Sequence, residues 1–186
     1  MVIEQIFISP GHNYFGHHER PPGGHPLVER ERVQCLAGRG INGDRFLDYR
    51  ENYRGQITFF SREVFNGLCA AFPHVIRSPA VFRRNVIVSG VDLKALIGQI
   101  FELQGVRFRG MCESRPCYWM DQAFCPGTEA WLKGKGGLRA QILTDGFLEV
   151  GDACLVCYCR DDLAAPNRYS DDASVTHDRP HAGGDF

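Results

Sequence analysis

The feature that most restricts the fold of this chain is a succession of short apolar runs in which every second residue is apolar. They occupy residues 2–8, 32–37, 56–60, 85–88, 99–103, 106–108, 138–143, 147–150 and 153–158. Side chains alternate sides along an extended backbone, so runs of this kind are strands with a buried face. They are rich in Val, Ile and Phe and punctuated by Gly or Asp-Gly, the pattern of a sandwich or barrel. Thr144-Asp145-Gly146 reads as a hairpin turn between the runs on either side of it. Helical spacing is confined to three short places. Ser61 can cap a helix over 62–72, with Val64, Phe65, Leu68 and Cys69 on one stripe; Asp92 starts a turn reaching Leu96; Cys125-Pro126-Gly127 opens a third at 128–133. No βαβ alternation and no internal repeat is visible. The expectation is a mainly β fold: a closed, mostly antiparallel β-barrel with a few short helices. A chain of 186 residues has room for one domain, placed at residues 1–160, while 161–186 reads as a polar, flexible C-terminal tail.

Charge and residue usage exclude several classes of function. The formal net charge is −1, which argues against a general nucleic-acid binder but permits a local basic pocket. No apolar run approaches the roughly 20 residues of a membrane helix, and the N-terminus lacks a cationic segment followed by a long apolar core. A cytoplasmic protein is expected. The basic residues divide into 3 Lys (Lys94, Lys133, Lys135) and 18 Arg. Genome composition can produce such a skew; Arg also grips oxyanions bidentately where Lys cannot. With so few lysines, a Schiff-base enzyme of the PLP type is not expected. The 8 cysteines occur without a secretion signal and are read as reduced thiols. Cys69 is assigned to the core, and 153–159 to a buried strand on which Cys157 and Cys159 share a face opposite Cys154.

Three segments carry candidate chemistry. Cys112-Glu113-Ser114-Arg115-Pro116-Cys117 follows a strand whose Arg107 and Arg109 share a face. A thiol reacts as its thiolate, and guanidinium groups favour that form. Pro116 fixes the backbone ahead of Cys117 and removes a competing amide donor. Cys117 is thus placed as a presented nucleophile or soft-metal ligand, with Arg115 beside it; an inert thiol at a strand end is the competing reading. Three glycines in Gly38-Arg39-Gly40-Ile41-Asn42-Gly43-Asp44-Arg45 let backbone approach an anion, and Asp44 can orient Arg45. That turn is neither a dinucleotide fingerprint nor a P-loop, and a plain turn fits it equally well. Arg83 and Arg84 enter a strand before Asn85, which is costly without an anion or acid partner, and Asn85 can read a ring edge; read alone, a rim ion-pair site is the commoner meaning of such a segment. A fourth stretch, residues 10–26, is a long loop holding His12, His17 and His18. Zinc or anion binding there is an alternative to solvent-facing turn histidines.

Together, RRNVIVSGVDLKALIGQIFELQGVRF, GRGINGDRF, RPC and LRAQILTDGFLEVGD resemble the MOSC domain, the C-terminal part of molybdenum cofactor sulfurases. The likeness runs from about residue 2 to 159 in the family's order. It implies a pyruvate-kinase-barrel-like β-barrel with one functional cysteine, matching Cys117, which either ligates molybdenum in the molybdopterin cofactor or carries a persulfide. It further implies anion-binding positions at Asp44, Arg45, Arg83, Arg84 and Asn85, and chemistry such as reduction of N-hydroxylated compounds. The PLP domain of the sulfurases is absent, and so is any fused ferredoxin-like cysteine set. A cysteine desulfurase or an electron-donor protein is therefore the expected partner, along with a small-molecule substrate. Cys112, five residues before Cys117, is a candidate resolving thiol.

Overall fold

Alternation at the N-terminus produces β1 (Val2–Ile8), followed after a long loop by β2 (Val28–Arg30), β3 (Arg32–Leu36), β4 (Gly40–Ile41) and β5 (Ile57–Ser61). This computed structural model describes residues 1–14, 17 and 20–158; the tail assigned to 161–186, His18 and Cys159 lie outside the described residues. Helix α1 (Arg62–Ala71) follows β5 directly because the Ser61 hydroxyl accepts the Val64 amide, 3.1 Å away, as an N-cap. A 3₁₀ turn (Pro79–Phe82) leads into β6 (Val86–Ser89), β7 (Ile100–Leu103) and β8 (Val106–Glu113). Two five-residue helices, α2 (Trp119–Ala123) and α3 (Thr128–Leu132), precede β9 (Leu138–Ile142), β10 (Gly146–Glu149), β11 (Gly151–Asp152) and β12 (Leu155–Tyr158). Among the described residues no helix is long and apolar enough to cross a membrane.

The strands form a nine-stranded sheet in the order β11-β1-β6-β5-β9-β8-β7-β12, with β2 added to β1, and a three-stranded sheet β10-β3-β4. The mainly β, mostly antiparallel expectation matches this arrangement; closure does not. The path ends at β11 and β12, which do not pair with each other, so the large sheet is open. Alternation identifies strands but not which edges meet, and that information was missing from the chain's pattern. Two local readings change with it. Thr144-Asp145-Gly146 is not a hairpin turn: it carries the chain from β9 in the large sheet to β10 in the small one. Its side chains serve the crossing, Thr144 Oγ1 accepting the Arg107 amide at 2.9 Å and Asp145 Oδ1 the Ala37 amide at 2.7 Å. One strand–helix–strand unit also exists, since β5 and β6 pair in parallel across α1.

Two cores explain the burial pattern. Ile3, Ile6, Ile57, Phe59, Val86, Phe101 and Phe108 of the large sheet meet Val33, Cys35, Ile41 and Leu148 of the small one. On the opposite face Phe7, Phe60 and Ile87 meet Phe65 and Leu68 of α1, Met120, Phe124 and Leu132. Strand β5 is therefore covered on both sides and buried at all five positions, with no polar face. Cys69 is a partly buried member of the helix-side cluster. The strand β12, expected to be buried, has Val156 and Cys157 exposed, and Cys154 just before it is exposed too. It is the last strand of the large sheet.

Candidate functional site

Strand β8 owes its reach to an irregularity. Its register against β9 shifts between Gly110 and Cys112, so that Cys112 pairs with Arg139 and Glu113 with Leu138. The chain then leaves the sheet through Ser114-Arg115-Pro116 and presents Cys117 immediately before α2, where the Cys117 carbonyl accepts the Met120 amide at 2.8 Å. Two glycines on the opposite side permit this path. A Cβ on Gly136 would meet the Ser114 carbonyl and, at 2.9 Å, Pro116 Cδ; one on Gly137 would meet the Phe59 carbonyl. Gly137 also has φ +96° and accepts the Ser114 amide at 2.8 Å. The Cys117 segment is therefore held against backbone.

Cys117 is exposed and lies on the wall of a cleft of about 280 Å³. Five guanidinium groups line that cleft (Arg45, Arg83, Arg84, Arg115 and Arg139), and among the described residues no carboxylate does. Tyr14, Trp119, Phe46, Tyr53 and Phe82 supply aromatic walls. Arg84 donates to the carbonyls of Ser114 (2.9 Å), Gly136 (3.2 Å) and Phe82 (3.3 Å), tying the two halves of the cleft together. Burial, with Arg139 close by, pushes Arg84 down to about 10, while the Cys117 sulfur favours its charge. Burial likewise brings Arg83 down to about 10, and Arg45 adds to the effect. Both remain cationic at neutral pH, held at a cost that an anion would offset. Among the described residues two buried side-chain polar atoms have no partner: Ser114 Oγ, in a residue with no exposed surface, and Arg139 Nε. Both residues line this cleft. Native interiors leave few such atoms, and these two fall in one cleft.

Asp44 and Asn85 take a different position. Asp44 Oδ2 accepts Arg45 Nη1 (3.0 Å), the Ser9 amide (3.1 Å) and Asn85 Nδ2 (3.2 Å), and Oδ1 accepts the Phe46 amide (3.1 Å). Asn85 gives its other amide hydrogen to the Phe7 carbonyl and accepts from the Thr58 amide and hydroxyl. Its donors and acceptors are all engaged and it is 1% exposed, so it knots β1, β5 and β6 behind the cleft without lining it. Arg45, with one fork arm on Asp44 and Nη2 donating to the Arg83 carbonyl at 2.9 Å, faces the cleft from this knot. Arg83, in the left-handed region at φ 53°, donates to Ser9 Oγ (2.6 Å), the Gly11 carbonyl (2.7 Å) and the His25 carbonyl (3.3 Å). It thereby fastens the 10–26 loop over the site.

That loop contributes His12, Asn13 and Tyr14 to the cleft. Tyr14 packs on Trp119, centroids 4.9 Å apart, and burial and the Cys117 sulfur push its phenol up against the opposing Arg83. His12 lies edge-on to Phe46 at 4.8 Å, and burial and Arg45 lower its imidazole below the usual value. His17 is within 3.0 Å of the Pro21 carbonyl. Among the described residues no group of three His, Cys, Asp or Glu side chains could hold a metal ion; His18, the third histidine of that alternative, lies outside them. Arg107 and Arg109 do not reach Cys117 as expected. They project from the outer face of β8, where Arg107 lies 3.7 Å from Glu102. Cys112 lines a neighbouring cleft, on the far side of Arg115 and Arg139. Ser114, Arg139 and the Tyr14–Trp119 wall are the residues the sequence did not single out. Arg139 alternates outward in LRAQI like any surface strand residue, and only the β8–β9 register brings it to the site.

The site and fold can be set beside known proteins. The solved YuaD protein from Bacillus subtilis superposes with a TM-score of 0.67 at 18% identity, covering 86% of this chain and 96% of that one. YiiM from Escherichia coli gives 0.60 at 17% identity, covering 86% and 71%. YiiM from Geobacillus stearothermophilus gives 0.58 at 16%, covering 86% and 75%. Likeness at this identity establishes a shared fold. No curated protein matches the chain. The family model described as the MOSC domain matches residues 48–154, the stretch that holds Arg83, Arg84, Ser114, Cys117 and Arg139, and the chain belongs to the MOSC domain family.

Proposed function

We propose that this protein binds the molybdenum cofactor in the arginine-lined cleft, with the Cys117 sulfur as the protein's ligand to the metal. One observation carries the reading: an exposed thiol on the wall of a cleft that, among the described residues, has five guanidiniums, no carboxylate, and a buried Ser114 hydroxyl without a partner. The donor set fits the group. A thiolate is a soft ligand suited to molybdenum, and planar Arg forks suit the phosphate and oxygen atoms of an anionic pterin. Arg84, Arg139 and Ser114 would hold the anionic portion, with Arg45 and Arg83 adding positive field from behind. When bound, the cofactor supplies two-electron chemistry at oxygen or an N-hydroxyl group. The chain's own contribution is to bind, orient and shield: Tyr14 and Trp119 exclude water beside Cys117, and Tyr14 keeps its phenolic proton across the neutral range.

Exposure of Cys117 also supports the alternative of a persulfide carrier loaded by a cysteine desulfurase. A carrier needs a reachable thiol, whereas it does not need a cleft with orphaned donors; that difference favours the cofactor. The test is elemental analysis of the protein purified from a host that makes the cofactor, beside Cys117→Ala. Molybdenum near one equivalent in the wild type and none in the variant is expected. Equal metal in both overturns the reading. One added sulfur by intact mass after incubation with desulfurase and cysteine, without metal, replaces it with the carrier.

A further inference from the structure

Next to the Cys117 cleft lies a second concavity of about 360 Å³, and they share Tyr53, Arg115 and Arg139. Arg50 and Arg54 close its other side. None of these four arginines forms an ion pair among the described residues. The one acid present, Glu113, already accepts the Gly136 amide at 3.0 Å, and the four cations exceed it by three charges. Tyr53 organises the group. The Arg50 guanidinium lies 5.3 Å from its ring centroid, and Arg139 Nη1 donates to its hydroxyl at 3.5 Å. Arg139 Nε, buried and without a partner, is an unused donor in a residue common to both clefts.

Gathering like charges in one place is unfavourable unless something of opposite sign sits among them. From this arrangement we infer that the second cleft is a binding site for a phosphate dianion. Phosphate presents several oxygens to planar forks, and its two charges offset most of the excess. The concavity falls within the size range of small-ligand sites. Because the clefts adjoin, a phosphoryl group held by Arg50, Arg54, Arg115 and Arg139 directs the rest of its molecule along Tyr53 toward Cys117. The site shares Arg115 and Arg139 with the Cys117 cleft but makes no use of the thiol itself.

The test titrates inorganic phosphate into the full chain at constant ionic strength, with chloride as control, following the thermal midpoint and heat of binding. Phosphate is expected to raise the midpoint, and Arg50→Gln/Arg54→Gln to weaken binding at least tenfold; both side chains are exposed, so the fold should persist. Each single exchange should give a smaller loss in the same direction, which covers a double variant that folds poorly. Cys117→Ala should bind phosphate as the wild type does, separating this site from the proposed role of the thiol. Adenosine monophosphate binding at least tenfold tighter than both phosphate and adenosine identifies a phosphate ester as the natural group; equal affinity with phosphate identifies the free anion. No midpoint shift, or the same affinity in the double variant, overturns the inference.

Discussion

Asp44→Asn is the substitution on which the geometry behind the cleft makes its sharpest demand. The exchange keeps the side chain's shape and removes its charge. Arg45, 7% exposed at its side chain, is left facing a neutral amide where a fully buried carboxylate stood. Removing one partner of a buried pair costs about 3–5 kcal/mol. An asparagine oxygen placed to accept the three donors on Oδ2 also turns its NH₂ toward the Phe46 amide, which formerly bonded Oδ1. Orphaning that amide adds about 1–3 kcal/mol. The smallest expected total, about 4 kcal/mol, is a large share of the roughly 5–15 kcal/mol that keeps a domain folded. For a chain of this size it lowers Tm by about 8–16 °C. Urea unfolding followed by fluorescence measures the loss. Arg45→Met in the same chain removes the stranded cation, so the double variant should recover at least about 1.5 kcal/mol relative to the sum of singles. A loss below about 1 kcal/mol for Asp44→Asn, or strict additivity with Arg45→Met, would refute the assignment of this knot.

Other expectations concern the cleft. Ser114→Ala removes a buried hydroxyl that bonds nothing, so stability without ligand should hold or rise, by up to about 1–3 kcal/mol in urea unfolding, while molybdenum content falls. Gly136→Ala brings a methyl against the Ser114 carbonyl and Pro116, and should cost about 1–3 kcal/mol while shifting the reactivity of Cys117 toward thiol reagents. His12 has its imidazole lowered by burial and Arg45, so below the ordinary value near 6.5 the unfolded chain takes up more protons than the folded one. Stability attributable to His12 is therefore present above that value and declines as pH falls through the window beneath it; His12→Phe should flatten the stability-versus-pH curve between about pH 5 and 7.

The parts of this fold legible in the sequence are those set by neighbours along the chain. Alternation located most strands, and Ser61 and the stripe through Phe65 and Leu68 located α1, because both depend on a few adjacent residues. The open large sheet was not legible, since β11 and β12 could meet or not with the same alternation. Cys117 was legible because proline and arginine beside a cysteine are a local pattern. Arg139 was not: it reaches the site through a register shift after Gly110 that pairs it with Cys112, and the 27-residue separation conceals this from any local reading. Arg107 and Arg109 show the converse, a local pattern whose strand turned its face outward. Asn85 and Asp44 carried chemistry-bearing side chains, yet their hydrogen bonds are spent on each other and on the backbone around them. Short elements such as β2, β4, β11 and α2 were missed because two to five residues hold little periodicity.

The claim underlying the whole account is that the Cys117 sulfur stands in a positive cleft open to anions. Its alkylation by iodoacetate and by iodoacetamide, mapped residue by residue, measures this directly. At low salt Cys117 should react faster with the anionic reagent, and the advantage should shrink as salt screens the arginines and in Arg84→Gln/Arg139→Gln. Cys154 and Cys157, exposed outside the cleft, serve as controls and should prefer the neutral reagent. If Cys117 shows the same preference as those two thiols, unaffected by salt, the cleft does not act on its sulfur and the account is wrong.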